Sequence, residues 1–184
     1  MTIYTIGHST RSLGELLELL RVHGVKRLAD VRSYPGSRRH PHFGRAALEA
    51  VLPEHAIEYR WMPGLGGRRR PQPDSSRNRG WRVQGFRAYA DHMASAEFAA
   101  ALGELEAWAR AAPTAFMCAE AVHFRCHRQL IADALTTRHW TVLHIVSAAA
   151  PAQHRLTSFA HIDAAGHLTY PAAPQLPLEE SDST

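Results

Sequence analysis

A strand, a helix and a second strand occupy the first thirty residues, and no other feature narrows the fold of this chain as much. Thr2 to Ile6 alternates in β-forming residues, Gly7 to Thr10 breaks the run, and Ser12 with Glu15 makes a capping box. Leu13, Leu16, Leu17 and Leu20 then recur at i, i+3, i+4 and i+7, the spacing of one helical face. Gly24 stops the helix, and Lys26 to Val31 is a second short strand. Two strands joined this way lie parallel, with a right-handed crossover.

The alternation continues. A short helix near Ala46 to Leu52 is ended by Pro53, and Ile57 to Met62 reads as a third strand. Pro63 to Gly80 is too rich in glycine, proline and charge for a regular element and is expected to be an exposed loop. Trp81 to Met93 and Ser95 to Ala111 read as helices, Thr114 to Cys118 as a strand, Cys126 to Thr137 as a helix and Trp140 to Val146 as a strand. The fold class is therefore α/β: a mostly parallel open sheet with helices on both faces. Leu156 to Ile162 and His167 to Tyr170 suggest a small C-terminal hairpin. The 184 residues suit one domain, spanning 1–170, and a flexible tail over 171–184 rich in Pro, Ala and acids.

The net charge of +4 conceals an uneven distribution. Between Arg27 and Arg87 there are 13 arginines against five acids, a local balance of +8, and the remainder of the chain is acidic. Arginine is suited to bidentate grip on phosphate or carboxylate. Its run at Arg68, Arg69, Arg70 and Arg87 is interleaved with Trp61, Trp81, Phe86 and Tyr89. Cations for phosphates and rings for bases are a usual combination for single-stranded or extruded nucleotides. A solvated loop followed by a helix with core aromatics is the plainer reading. No P-loop or dinucleotide-binding glycine pattern follows a strand, so ATP hydrolysis and hydride transfer lose their usual support.

The N-terminus has neither the charged nor the long apolar region of a signal peptide, and no apolar run reaches membrane-spanning length. A cytoplasmic location is expected, with no membrane partner. In that compartment Cys118 and Cys126 are free thiols, either inert or chemical.

Ligands of open parallel sheets bind beyond the carboxyl ends of the strands. The loops leaving those ends carry His8 and Ser9, then Asp30 and Arg32, then the residues up to Arg70, then Glu120, Cys126, His127 and Arg128. Cys126, placed at a helix N-terminus beside Arg125, His127 and Arg128, has the setting of a reactive thiol. Glu120 suits a general base or an anchor for arginine, and Asp30 and Arg32 suit an ion pair.

The pieces TIGHS, DVR, LGG, FRAYADHM, MCAE and CHR, in this order, resemble the bacterial domain-of-unknown-function family 488, and the resemblance runs from about Ile3 to His161, where SFAHIDAAGHLTYP is similar to the family's terminal hairpin. The loop at Val122 to Arg125 departs from that pattern, with His123 and Phe124 where the family more often has proline or small polar residues. The resemblance supports the motif positions and brings no reaction with it.

The leading reading is an enzyme, hydrolytic or nucleophilic, on an anionic nucleotide-type or nucleic-acid substrate, for instance cleaving a glycosidic bond or removing a damaged base in DNA repair. Glu120, Cys126, His127, His8 and Asp30 are the catalytic candidates. Ser9, Arg32, Arg68, Arg69, Arg70, Arg87, Arg128 and Cys118 are the binding candidates. No cofactor and no metal are included: the paired C-x2-C spacing is missing, and adjacent Cys126 and His127 on a helix would point about 100° apart. One alternative is a non-catalytic nucleotide or nucleic-acid binding module. The other is a rhodanese-like sulfurtransferase, suggested by Asp-Val-Arg after an early strand and Cys118 after a later one. The residues after Cys118 oppose it, because they do not form a compact persulfide cradle. The oligomeric state is left open.

Overall fold

The computed structural model describes residues 1–36, 39–71 and 76–172. Most of the expected tail lies outside them. Five strands, β1 (Thr2–Gly7), β2 (Arg27–Asp30), β3 (Glu58–Trp61), β4 (Thr114–Cys118) and β5 (Thr141–Ile145), form a parallel sheet. A short β6 (Ala152–Gln153) adds antiparallel to β5, giving the order β3-β2-β4-β1-β5-β6. β7 (His161–Ile162) and β8 (Leu168–Thr169) pair as the separate hairpin.

The helices divide between the two faces. α1 (Leu13–Val22) and α2 (Arg45–Glu54) bury Leu16, Leu19, Leu20, Leu48 and Leu52 against Leu28, Ala115 and Met117. On the other face α3 (Gln84–His92), α4 (Ala96–Ala111) and α5 (Arg128–Thr137) bury Tyr89, Phe98, Leu102, Leu105, Leu130 and Ile131 against Ile3, Ala29 and Phe116. Covering both faces explains why all five residues of β4 are buried. The capping box at Ser12 and Glu15 is present with both reciprocal bonds.

The register sets up the site. Gly7 lies beside Cys118, and Asp30 lies beside both Met117 and Trp61, so β1, β4, β2 and β3 end together. The chain leaves β1 toward β2 and leaves β4 toward β5, in opposite directions, and a crevice opens where such paths diverge.

Several boundaries differ from the sequence reading for local reasons. α2 runs through Pro53 and ends one residue later, since a proline in the last turn removes only one bond. The loop after β3 is not wholly exposed: Pro63–Leu65 makes a 3-10 turn that buries Leu65. Most consequential, α5 starts at Arg128 instead of Cys126, which is extended at φ −138° and ψ 150° behind a 3-10 turn over His123–Arg125.

A buried polar network ties α5 to the C-terminal segments. The Asp133 carboxylate accepts bonds from His154 Nε2 (2.8 Å), the Thr157 amide (2.9 Å), the Thr157 hydroxyl (2.6 Å) and the Tyr170 hydroxyl (2.8 Å). His154 Nδ1 lies 3.0 Å from His144 Nε2, and the His123 ring stacks on His144 with centroids 3.5 Å apart. Burial, followed by the charges of neighbouring groups including Arg128 and His154, pushes His123 down to about 4 and His144 to about 3. Both rings are therefore neutral in the folded chain at pH values where an unfolded histidine, at about 6.5, takes a proton. Their contribution to stability is complete above that value and is lost as pH falls through the folded values. The urea midpoint is expected to decline between pH 6.5 and pH 4.5, with a shallower decline in His123→Phe. An unchanged slope in the variant would contradict this assignment.

Candidate active site

A cleft of about 580 Å³ opens at the carboxyl edge of the sheet. Its lining includes Arg32, Tyr34, Arg68, Phe86, Tyr89, Cys118, Glu120, Arg125, Cys126 and His127. Thiols, imidazole, carboxylate, three guanidiniums and aromatic rings thus share one opening.

Each chemical group has a structural reason for its place. Cys118 is the last residue of β4. The extended backbone at Cys126 and the helical one at His127 bring both side chains to the same point, where helical spacing predicted divergence. His127 Nδ1 lies 3.8 Å from Cys118 Sγ and 3.5 Å from Cys126 Sγ. Its Nε2 lies 2.9 Å from the Val31 carbonyl, which only accepts, so that nitrogen carries a proton and the neutral ring is the tautomer whose Nδ1 lone pair faces the sulfurs. Gly67 lies against the ring: a Cβ there would come within 2.4 Å of Nδ1.

The two thiols are unequal. A hydrogen bond from Cys118, opposed by burial and helped by Arg128, lowers Cys126 to about 7. Cys118, which keeps the proton of the pair and is itself buried, is pushed up.

Arg32 is held by Asp30, fully buried, whose carboxylate meets the Arg32 amide (3.1 Å), Nε (2.8 Å) and a terminal nitrogen. Tyr59 donates to the same carboxylate at 2.7 Å. His8 sits behind Arg32 at 3.2 Å, and burial together with that guanidinium pushes it down to about 4. Arg68 stands over the exposed Tyr34 ring, 5.7 Å from its centroid. Arg128 is almost wholly buried and holds the Glu120 and Ala121 carbonyls and the Thr5 hydroxyl.

Among the catalytic candidates, Glu120, Cys126 and His127 line the cleft, whereas His8 and Asp30 stand behind Arg32 and do not. Among the binding candidates, Cys118, Arg32 and Arg68 line it. Ser9 lies outside the lining, in a left-handed turn at φ 52°. Arg69 is folded back onto the Gly64 and Gly66 carbonyls and Glu97. Arg87 bonds the Trp81 carbonyl, and Arg70 is exposed away from the lining.

Much of the basic segment is thus absorbed by packing. Arg27 and Arg60 pair with Glu58 and Glu104 over Trp108, and Arg45 pairs with Glu49 over Trp61. Tyr34 is a cleft residue that the sequence reading missed, and Arg125 and Phe86, noted there as a neighbouring cation and an interleaved ring, were not among its site candidates. A tyrosine directly before a proline in an arginine-rich loop was the available signal for Tyr34.

The family model described as Domain of unknown function DUF488 matches residues 12–135. That span includes Arg32, Arg68 and the whole segment from Cys118 to His127. No curated protein and no solved structure matches the chain. Among the described residues, no helix is long and apolar enough to cross a membrane.

Proposed function

We propose that this chain, which belongs to the DUF488 family, is an enzyme acting on an anionic nucleotide-type substrate, free or within a single-stranded nucleic acid. The observation that carries the reading is the convergence of Arg32, Arg68 and Arg125 with the Cys118, Cys126 and His127 cluster in one cleft. Arg68 and Arg125 clamp phosphate, the buried Arg32 adds positive charge behind them, and Tyr34 and Phe86 offer faces for a base. Glu120, in the same lining, is the acid or base of a hydrolytic step such as glycosidic cleavage. The location we propose is cytoplasmic, where the two thiols stay reduced.

A pure binding module would need only the clamp. The test uses a nucleoside 5′-monophosphate and a short single-stranded oligonucleotide, with binding and product formation measured separately. Arg68→Ala is expected to weaken binding about 10- to 100-fold, the loss of one charge-assisted contact. Glu120→Gln is expected to bind like the parent and to lose turnover. Turnover by Glu120→Gln at the parent rate, or binding unaffected by Arg68→Ala, would overturn the reading.

A further inference from the structure

We propose that Cys118, Cys126 and His127 form a site for a thiophilic divalent cation of the zinc class, in the wall of the cleft. The three ligand atoms, Cys118 Sγ, Cys126 Sγ and His127 Nδ1, lie within 4.8 Å of one another. In a tetrahedral zinc centre, with Zn–S near 2.3 Å and Zn–N near 2.1 Å, sulfur and nitrogen stand about 3.6 Å apart. The sulfur to nitrogen separations here are 3.8 and 3.5 Å, on either side of that value.

The imidazole is already in the state a ligand needs. Ligating histidines usually donate their second ring N–H to a carboxylate or carbonyl, which fixes tautomer and orientation. The bond from His127 Nε2 to the Val31 carbonyl, 2.9 Å long, does this. Gly67 against one side of the ring and Tyr89, with centroids 5.1 Å away, hold it in place.

Two thiolates and one imidazole select a soft or borderline ion over magnesium or calcium. Each thiol gives its proton to solvent as it binds, so a divalent ion with two thiolates adds no net charge to the wall. Three protein ligands with a fourth position open are the pattern of catalytic zinc, and all three residues here line the cleft. Glu120, two residues beyond Cys118, lines the same space. The catalytic meaning of the ion rests on the reading of the cleft given above, but the ion itself does not.

The test is a titration of untagged, chelator-treated full-length protein with Zn2+ and, separately, Co2+. One ion per chain is expected, with the near-ultraviolet thiolate-to-cobalt band and the visible bands of tetrahedral cobalt. Cys118→Ser/Cys126→Ser is expected to lose the band. Gly67→Ala, which displaces the ring and spares every ligand, is expected to weaken Zn2+ binding about 10- to 100-fold. No charge-transfer band on the parent protein, or the same band in the double variant, would overturn the proposal. Failure here leaves nucleotide binding and its dependence on Arg68 intact. Failure of the substrate reading leaves the cobalt spectrum intact.

Discussion

Asp30→Ala is expected to lose about 3–5 kcal/mol of stability, the usual result of leaving a buried charge without its partner. Arg32 is 6% exposed, and three of its donors end on the Asp30 carboxylate. In the variant the guanidinium keeps only the Phe43 carbonyl and His8, and the hydroxyl of Tyr59 loses its acceptor. For a chain of this length the thermal midpoint falls by roughly 2–4 °C per kcal/mol, so a decline of about 10 °C is predicted. Replacing both members, Asp30→Ala with Arg32→Met, is expected to recover much of the loss, since no charge is then stranded. A single variant within about 1 kcal/mol of the parent would contradict the burial argument. So would a double variant whose loss equals the sum of the two single ones. The ion pair places a cation at the cleft from a residue that itself never reaches it.

Gly7→Ala is expected to be nearly as damaging and to act directly on the site. A Cβ at this position would lie 1.8 Å from the Glu120 carbonyl oxygen and 2.8 Å from a terminal nitrogen of Arg128. Neither is the free end of a flexible side chain: the first is backbone and the second is buried and bonded to that same carbonyl. The loop after β4 must move, at a cost of about 1–3 kcal/mol or more, the range of overpacked cores. Glu120 moves with it, so turnover is expected to fall further than stability. Parent-like urea midpoint and parent-like rate together would show that the close approach of β1 to this loop is unimportant.

The α/β sheet and both layers of helices follow from the sequence because they depend on local periodicity: the leucine spacing of α1, the capping box and the uniformly apolar β4. The hairpin around Gly166 was readable for the same reason. What periodicity does not carry is backbone detail over one or two residues. Cys126 and His127 lie next to each other, and assigning both to a helix separates their side chains. The extended backbone at Cys126 instead joins them, and this single dihedral change turns a rejected ligand set into a cluster. Charge clustering was likewise visible, but Arg60 and Arg69 pair with Glu104 and Glu97 from outside the segment, and Arg27 pairs with Glu58 on the neighbouring strand. Composition therefore overstated how many arginines face a ligand. Asp30 and His8 belonged to the right neighbourhood, and the depth at which Arg32 covers them depends on packing that no spacing rule reports.

A second hollow of about 640 Å³, lined by Ser76, Asn78, Ser95, Leu102 and Thr169 among others, lies elsewhere on the molecule, so location is the decisive question. Amide chemical shifts followed by NMR during titration with a nucleoside 5′-monophosphate answer it directly. Saturable shifts at Gly67, Arg68, Ala119, Glu120 and Cys126 are the predicted result, with saturation in Arg68→Ala moved to about 10- to 100-fold more nucleotide. Shifts confined to the second hollow, or saturation at the parent concentration in Arg68→Ala, would contradict the assignment of the cleft as the site of an anionic substrate.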